Sequence, residues 1–231
     1  YTLSLHDALP IFNNALFPII AGLDLLEMGL TDPARAENSI KRMRRCTERM
    51  GRLTDQLLAY AEGGKYHPQS ISLSAMVTDT LPLIRHTLSS DIEVVTDLPE
   101  DISPVRGDVT QMQMVLSAIL SNASEAITGK GRIRISARNT EMDTDTPDRD
   151  ADLKSGSYVS LILEDNGKGM DEETRNRIFE PFFSTKFEGR GLGMAAVYGI
   201  IKNHHGQIRV HSELNKGTTV QILLPAVTSL S

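Results

Sequence analysis

Two glycine signatures about two dozen residues apart hold the residues best suited to chemistry in this chain of 231 residues. The first is D-N-G-K-G-M, Asp165 to Met170, and the second is G-R-G-L-G-M, Gly189 to Met194. Asp165 ends an apolar run from Ser157 to Glu164, so its carboxylate sits at a strand end, ready to accept from a purine amino group. Gly167 and Gly169 permit positive φ and close approach of a flat ring. Gly191 and Gly193 open a predicted helix and leave its first N–H groups uncovered, an arrangement that attracts phosphate. Asn122, upstream on another predicted helix, offers a neutral amide oxygen, a hard ligand suited to Mg²⁺. Lys186 stands between the signatures, within reach of a phosphate. Thr218, leading the last strand in Gly217-Thr218-Thr219, supplies a hydroxyl to complete the base contacts. In this order the set describes a pocket for a purine nucleotide and its metal.

Each residue also has a plainer reading. Asn122 lies along a stripe of Met112, Val115, Leu116, Ile119, Leu120, Ala123 and Ile127, where an amide can simply pack between helices. Asp-Asn-Gly is a common turn. Phe179, Phe182 and Phe183, in I-F-E-P-F-F-S-T-K, are either core or a flap over the ligand. His204 and His205, before Gly206, fit a helix C-terminus better than a metal site.

The elements that must position these groups follow from periodicity. Phe12, Leu16, Ile19, Leu23, Leu26 and Leu30 form one helical stripe; Ile40, Met43, Met50, Leu57 and Ala61 form a second. Thr31-Asp32-Pro33 separates them, with Asp32 suited to cap and Pro33 to open the second helix. Gly63-Gly64 ends it. Two helices with narrow stripes need a partner, most simply a second copy giving a four-helix bundle. Beyond Gly63, alternation predicts strands at 71–73, 92–96, 133–137, 159–163, 208–210 and 220–224. Helices are predicted at 75–89, 109–127, 172–179 and 193–204. The stretch 139–156 is acidic and polar, and reads as an exposed loop. The fold class is α+β, a helical hairpin followed by an α/β sandwich.

Composition narrows the function classes. A net charge of −6 argues against a nucleic-acid surface. No apolar run has the length of a membrane span. Leu3 to Ile20 lacks a basic leader and carries His6 and Asp7, so it does not read as a signal peptide. One cysteine, Cys46, excludes an internal disulfide, fits a reducing cytoplasm and reads as a small packing residue. The basic run Lys41, Arg42, Arg44, Arg45, Arg49 and Arg52 reads as a solvated helix face, with a docking surface for an acidic partner as the alternative.

From Phe12 to Pro225 the chain resembles sensor histidine kinases of two-component systems, whose catalytic domain is of the gyrase/Hsp90-like ATPase type. Asn122 matches the N box, D-N-G-K-G and G-R-G-L-G-M two glycine boxes, E-P-F-F-S-T-K the F box and G-T-T-V a third glycine box. A-A-V-Y-G-I-I-K-N-H-H-G is similar to the nitrogen-regulator and hybrid-type branch. The resemblance implies a dimerisation and histidine phosphotransfer hairpin at 1–66 and a catalytic ATP-binding domain at 67–231. It implies ATP and Mg²⁺ as cofactors, with the metal on Asn122. It implies a homodimer as the assembly and a response-regulator receiver as the partner.

The helix start departs from the family. Aligned on Phe12-Asn13-Asn14, the phosphoacceptor histidine falls at Pro10 and its acidic neighbour at Ile11. His6-Asp7 repeats the pair about one helical turn too early, and Pro10 interrupts a helix between them. Thr2 to Ile11 resembles a translated sequencing adapter, so His and Asp are expected in the native gene at 10 and 11. Ala118 stands where relatives often carry an asparagine or acid. Three functions stay open: a histidine kinase fragment, a dimeric nucleotide-binding module that cannot phosphorylate itself, and an ATP-hydrolysing clamp. The clamp is disfavoured by Ala118, where it would need a glutamate base, and by the hairpin.

Overall fold

The computed structural model describes residues 16–24, 36–41, 43–44, 46–47, 66–143, 153–181, 183–185 and 191–227. The chain divides into two compact units, Tyr1–Glu62 and Gly63–Ser231. In the first, helix α1 covers 16–24, and the described residues within 36–47 form helix α2. Gly22 is buried, and a Cβ there would lie 2.8 Å from the Met43 side chain, so the two helices touch closely at this point. Phe17 and Ile20 of α1 are 71% and 54% exposed, an uncovered apolar face on the single chain. Lys41 pairs in solvent with Glu37 at 2.7 Å, and Arg44 is exposed, as expected of a solvated face. Cys46 is half-buried. The expectations on Arg42, Arg45, Arg49 and Arg52 lie outside the described residues.

The second unit is a mixed five-stranded sheet covered by helices. Its strands are β2 (Ile92–Asp97), β4 (Gly131–Met142), β5 (Gly156–Asp165), β6 (Gln207–Glu213) and β7 (Gly217–Pro225), in the order β2-β4-β5-β7-β6. Only β2 and β4 run parallel; the other pairs are antiparallel. A small antiparallel pair, β1 (Gln69–Ile71) with β3 (Val105–Gly107), forms a second sheet, joined to the end of β7 by the bridge of Val105 with Ala226. The helices are α3 (Leu73–Ile84), α4 (Val109–Ala126), α5 (Glu172–Arg177) and α6 (Gly193–Asn203).

Alternation decides which face is core. Ile133, Ile135 and Ala137 of β4, Val159, Leu161 and Leu163 of β5, and Val220, Ile222 and Leu224 of β7 are buried. Helix α4 lies over β4, β5 and β7 and packs on α3 and α6. Its inward side is Met112, Val115, Leu116, Ile119, Leu120 and Ala123. The opposite face of β4 carries Arg132, Arg134 and Arg138, paired in solvent with Glu93 and Asp97 of β2.

Three of the boundaries that differ from the sequence expectation have a clear local reason. Ser72 is an N-cap, its hydroxyl accepting from Ala75 N at 3.3 Å, so Leu73 starts a helix instead of ending a strand. Pro82 lies in the last turn of α3, which tightens into a 3₁₀ turn at Arg85–Thr87 rather than continuing to 89. The expected loop 139–156 is shorter, because β4 runs to Met142 and β5 starts at Gly156. Met142, Leu153, Tyr158 and Leu223 bury one another in a satellite cluster, and the Tyr158 hydroxyl donates to Lys154 O at 2.8 Å.

Candidate nucleotide-binding site

The first signature forms a loop held from three sides. After Asp165 the strand turns because Gly167 N donates to Asp165 Oδ1 at 2.8 Å, an Asx turn. The Asn166 side chain takes over the ladder to β4, accepting from Arg132 N at 2.8 Å. Lys168 N donates to Ala126 O at 2.9 Å, tying the loop to the C-terminal end of α4. Lys168 O accepts from Asn215 N at 2.7 Å, tying it to the β6–β7 turn.

Gly169 has φ +62°. A Cβ there would overlap the carbonyl oxygen of Glu213, and one at Gly217, φ +100°, would overlap the carbonyl of Asp165. The close approach visible at Gly169 is therefore made by the backbone of the β6–β7 hairpin, where the sequence reading had a flat ring. These two glycines let that hairpin lock onto the loop.

Asp165 faces Thr218 across the β5–β7 pair. Burial pushes its carboxyl above the usual carboxylate range, and N–H donation by Gly167 and Thr218 partly offsets this. A carboxylate has about four acceptor sites, so two backbone donors leave capacity for a ligand. Asn122 is half-buried on α4, one turn before Ala126, whose carbonyl holds the loop. No described residue forms a hydrogen bond with its side-chain amide. Ala118, one turn earlier, is half-buried and brings no donor.

The second signature differs from the first. Gly191 has φ +62°, and α6 starts at Gly193 after Leu192, with no side chain capping its first N–H groups. A Cβ on Gly193 would meet nothing within 4 Å. N–H groups with no capping side chain among the described residues, at the start of a three-turn helix, form an anion-attracting end. Phe179 stacks at a tilt on Tyr198 of α6, centroids 5.3 Å apart, and the Arg177 guanidinium lies 4.2 Å over the Phe183 ring. Both phenylalanines are half-buried, outside the core. Lys186, Phe182, Pro10, Ile11 and His6 lie outside the described residues.

Asp108 and Ser212 escape sequence reasoning, and His204, which caps α6 as expected, has a partner the sequence did not show. His204 at the end of α6 is 2% exposed, its Nδ1 2.7 Å from Ile200 O and its Nε2 accepting Asp108 N at 3.0 Å. Asp108 caps α4 by accepting Gln111 N at 3.0 Å and also accepts His67 N at 2.9 Å. Burial raises its pKa, but N–H donation by His67, Gln111 and Thr110 outweighs that and holds it below the usual range. Ser212 of β6 contacts the first signature and Thr218 together. A capping pattern, Asp108 before an apolar stripe, was available as a signal for the first; Ser212 has no local signal.

The mixed sheet, the helix-covered face and the two-glycine-loop site define an ATPase module of the histidine kinase type. Residues 107–228 match the family described as histidine kinase-, DNA gyrase B-, and HSP90-like ATPase, and the chain belongs to that family. The chain is 35% identical over 225 residues to sensor kinase CckA of Brucella abortus (strain 2308), covering 95% of this chain and 23% of that protein. It is 31% identical over 213 residues to the signal transduction histidine-protein kinase AtoS of Escherichia coli (strain K12), covering 92% and 33%. The chain thus spans about a quarter to a third of the length of these curated relatives. Histidine kinase ThkA, solved in complex with response regulator protein TrrA, has the same fold, with TM-score 0.68, 22% identity and coverage of 95% and 60%. Among the described residues, no helix is long and apolar enough to cross a membrane.

Proposed function

We propose that this chain is the dimerisation and catalytic part of a sensor histidine kinase, transferring the γ-phosphoryl group of ATP to a hairpin histidine and then to a response-regulator aspartate. Residues 1–66 are the dimerisation and phosphotransfer hairpin, and 67–231 the catalytic domain. The observation that carries this is the convergence of Asp165 and Thr218 with the Asn122 end of α4 through the Lys168–Ala126 bond. Asp165 and Thr218 receive the adenine, with Gly167 and Gly169 shaping the loop beside it. The uncapped start of α6, with Gly191 and Gly193, receives the phosphates, and Lys186 reaches one of them. Asn122 is a fitting metal ligand, because its amide has no described protein partner and Mg²⁺ bound to phosphates needs only one or two protein oxygens. Mg²⁺ neutralises charge on the phosphates when bound.

Phosphoryl transfer depends on positioning and charge neutralisation more than on covalent help from the protein. A neutral imidazole nitrogen attacks the γ-phosphorus, the bond to the β,γ-bridging oxygen breaks and ADP leaves. The imidazole is the histidine expected at 10 in the native gene, and the acidic residue expected at 11 takes its proton. The exposed Phe17 and Ile20 face of α1 supports a homodimer, and the ThkA–TrrA complex supports a receiver domain as partner. Cytoplasmic chemistry follows from the ATP requirement.

A second reading is favoured by one observation: Pro10 and Ile11 occupy the phosphoacceptor pair. As written, the chain then binds ATP and dimerises without labelling itself. Incubation with γ-labelled ATP separates the readings. An acid-labile label on the chain carrying Pro10→His and Ile11→Asp supports the kinase, free phosphate alone supports a clamp, and bound but unreacted ATP in the chain as written is the outcome expected of the silent module.

A further inference from the structure

Ser212 Oγ lies within hydrogen-bond distance of three atoms from three places: Met170 N at 2.9 Å, Gly217 O at 3.0 Å and Thr218 Oγ1 at 2.9 Å. A hydroxyl has one proton and two lone pairs. Met170 N–H can only donate, so it occupies one lone pair. Gly217 O can only accept, so it takes the single Ser212 proton. The contact with Thr218 then has one possible direction: Thr218 Oγ1–H donates to the remaining lone pair of Ser212. The Thr218 proton is turned inward, and its hydroxyl shows a ligand only lone pairs.

Thr218 is the cross-strand partner of Asp165, itself an acceptor when ionised. The wall made by the pair therefore offers acceptors and no side-chain proton. We propose that Ser212 is a specificity-determining positioning residue that selects a 6-aminopurine nucleotide over a 6-oxopurine one by fixing the direction of the Thr218 hydroxyl. An exocyclic amino group finds acceptors on that wall. A 6-oxo group meets lone pairs with its own lone pairs and leaves polar groups unpaired, the arrangement by which sites discriminate strongly. This rests on the adenine lying against Asp165 and Thr218.

The test is calorimetric titration of the full chain with ATP and with inosine triphosphate, which carries a 6-oxo acceptor and an N1–H in place of the 6-amino donor and bare N1; the N1 difference is common to every variant, so the change in ratio reports the 6-position. Ser212→Ala frees the Thr218 proton to face the ligand, and the ratio of ATP to inosine triphosphate affinity falls about three- to tenfold, the worth of one hydrogen bond. Ser212→Thr keeps the hydroxyl and restores the ratio. In a Thr218→Val background Ser212→Ala leaves the ratio unchanged, because the hydroxyl it orients is gone. Equal weakening of both nucleotides by Ser212→Ala means that Ser212 only supports the loop, and overturns the proposal. If Ser212→Ala does not fold, Ser212→Cys, a weaker donor and acceptor, carries the same comparison. Asp165→Asn separates the underlying reading: unchanged ATP affinity there overturns the base location and the proposal together. Weakened ATP binding there, with an unmoved ratio in Ser212→Ala, overturns the role of Ser212 alone.

Discussion

The His204 ring accepts the backbone N–H of Asp108 across 96 residues of sequence, joining the end of α6 to the cap of α4. Asn122 lies 14 residues beyond Asp108 and Gly193 lies 11 before His204, rises of about 21 and 16 Å along their helices. With α4 packed on α6, the latch puts the metal-ligand candidate and the open helix start at the same end of the pair. It also holds the first described residues of this unit, through His67 N on Asp108 and an edge-on contact of Tyr66 with His204, centroids 5.1 Å apart.

Because a backbone N–H can only donate, Nε2 of His204 is unprotonated and Nδ1 carries the proton to Ile200 O. Burial pushes its pKa below the ordinary 6.5; the Ile200 bond and Asp108 oppose this, and His205 adds to it. The unfolded chain then binds more protons than the native one below pH 6.5, so this contribution to stability is full above 6.5 and declines on acidification. Asp108, held low, titrates below 3.8 and does not confuse that window. The melting temperature is expected to drop from pH 7.5 to 5.5, and His204→Gln, which keeps an acceptor without titrating, flattens that slope. An unchanged slope in the variant rules out His204 as its source.

Asp165→Asn is expected to separate binding from stability. The native carboxyl is raised above its usual range by burial, so ionised Asp165 costs stability at pH 7 and less as pH falls toward the usual carboxylate range. Asparagine removes the charge and keeps an oxygen for Gly167 N. The nucleotide-free variant melts higher than the parent at pH 7, with the gain shrinking toward pH 4, while ATP affinity falls by about 1–3 kcal/mol. Scanning calorimetry with and without ATP reads both.

The two glycine loops predict opposite outcomes for the same substitution. Gly169→Ala forces a left-handed φ and an overlap with Glu213 O, and is expected to cost at least about 2 kcal/mol in urea denaturation. Gly193→Ala has open space and stays within about 1 kcal/mol of the parent in stability. Its methyl stands over the N–H groups assigned to phosphate, so ATP affinity falls. Undiminished affinity in a folded Gly193→Ala places the phosphates elsewhere.

Pro10→His with Ile11→Asp is expected to create an acid-labile phosphoryl label that the parent chain lacks. His6→Ala in that background leaves the label intact. A label in the parent chain that vanishes with His6→Ala assigns the phosphoacceptor to His6 and shifts the helix alignment by about one turn.

Light scattering on the full chain at tens of micromolar is expected to give a dimer, and a chain starting at Gly64 a monomer that still binds ATP. Phe17→Glu, on the exposed face of α1, shifts the full chain toward monomer. A monomeric parent at that concentration contradicts the bundle.

The chain's own order of residues determined much of this protein. Period-two apolar runs specified the five main strands, and the stripe from Met112 to Ala123 specified α4, because burial of one face is written locally. Asp165 as a strand end followed by a turn at Gly167 was legible because that junction has a short signature, whereas Asn122 sits inside the α4 stripe with no boundary signal of its own. Tertiary structure decided what joins distant segments. Strand β3, three residues long, exists through its pairing with β1 some thirty-six residues away and carries no periodic signal. Gly169 was legible as a glycine that permits positive φ and close approach, but only the fold shows that the β6–β7 hairpin is what approaches it. Ser212 meets Met170 across 42 residues, and His204 meets Asp108 across 96. The direction of a hydroxyl proton or the tautomer of a buried imidazole depends on which donors and acceptors the folded backbone brings within about 3 Å, and no local stretch of residues encodes that meeting.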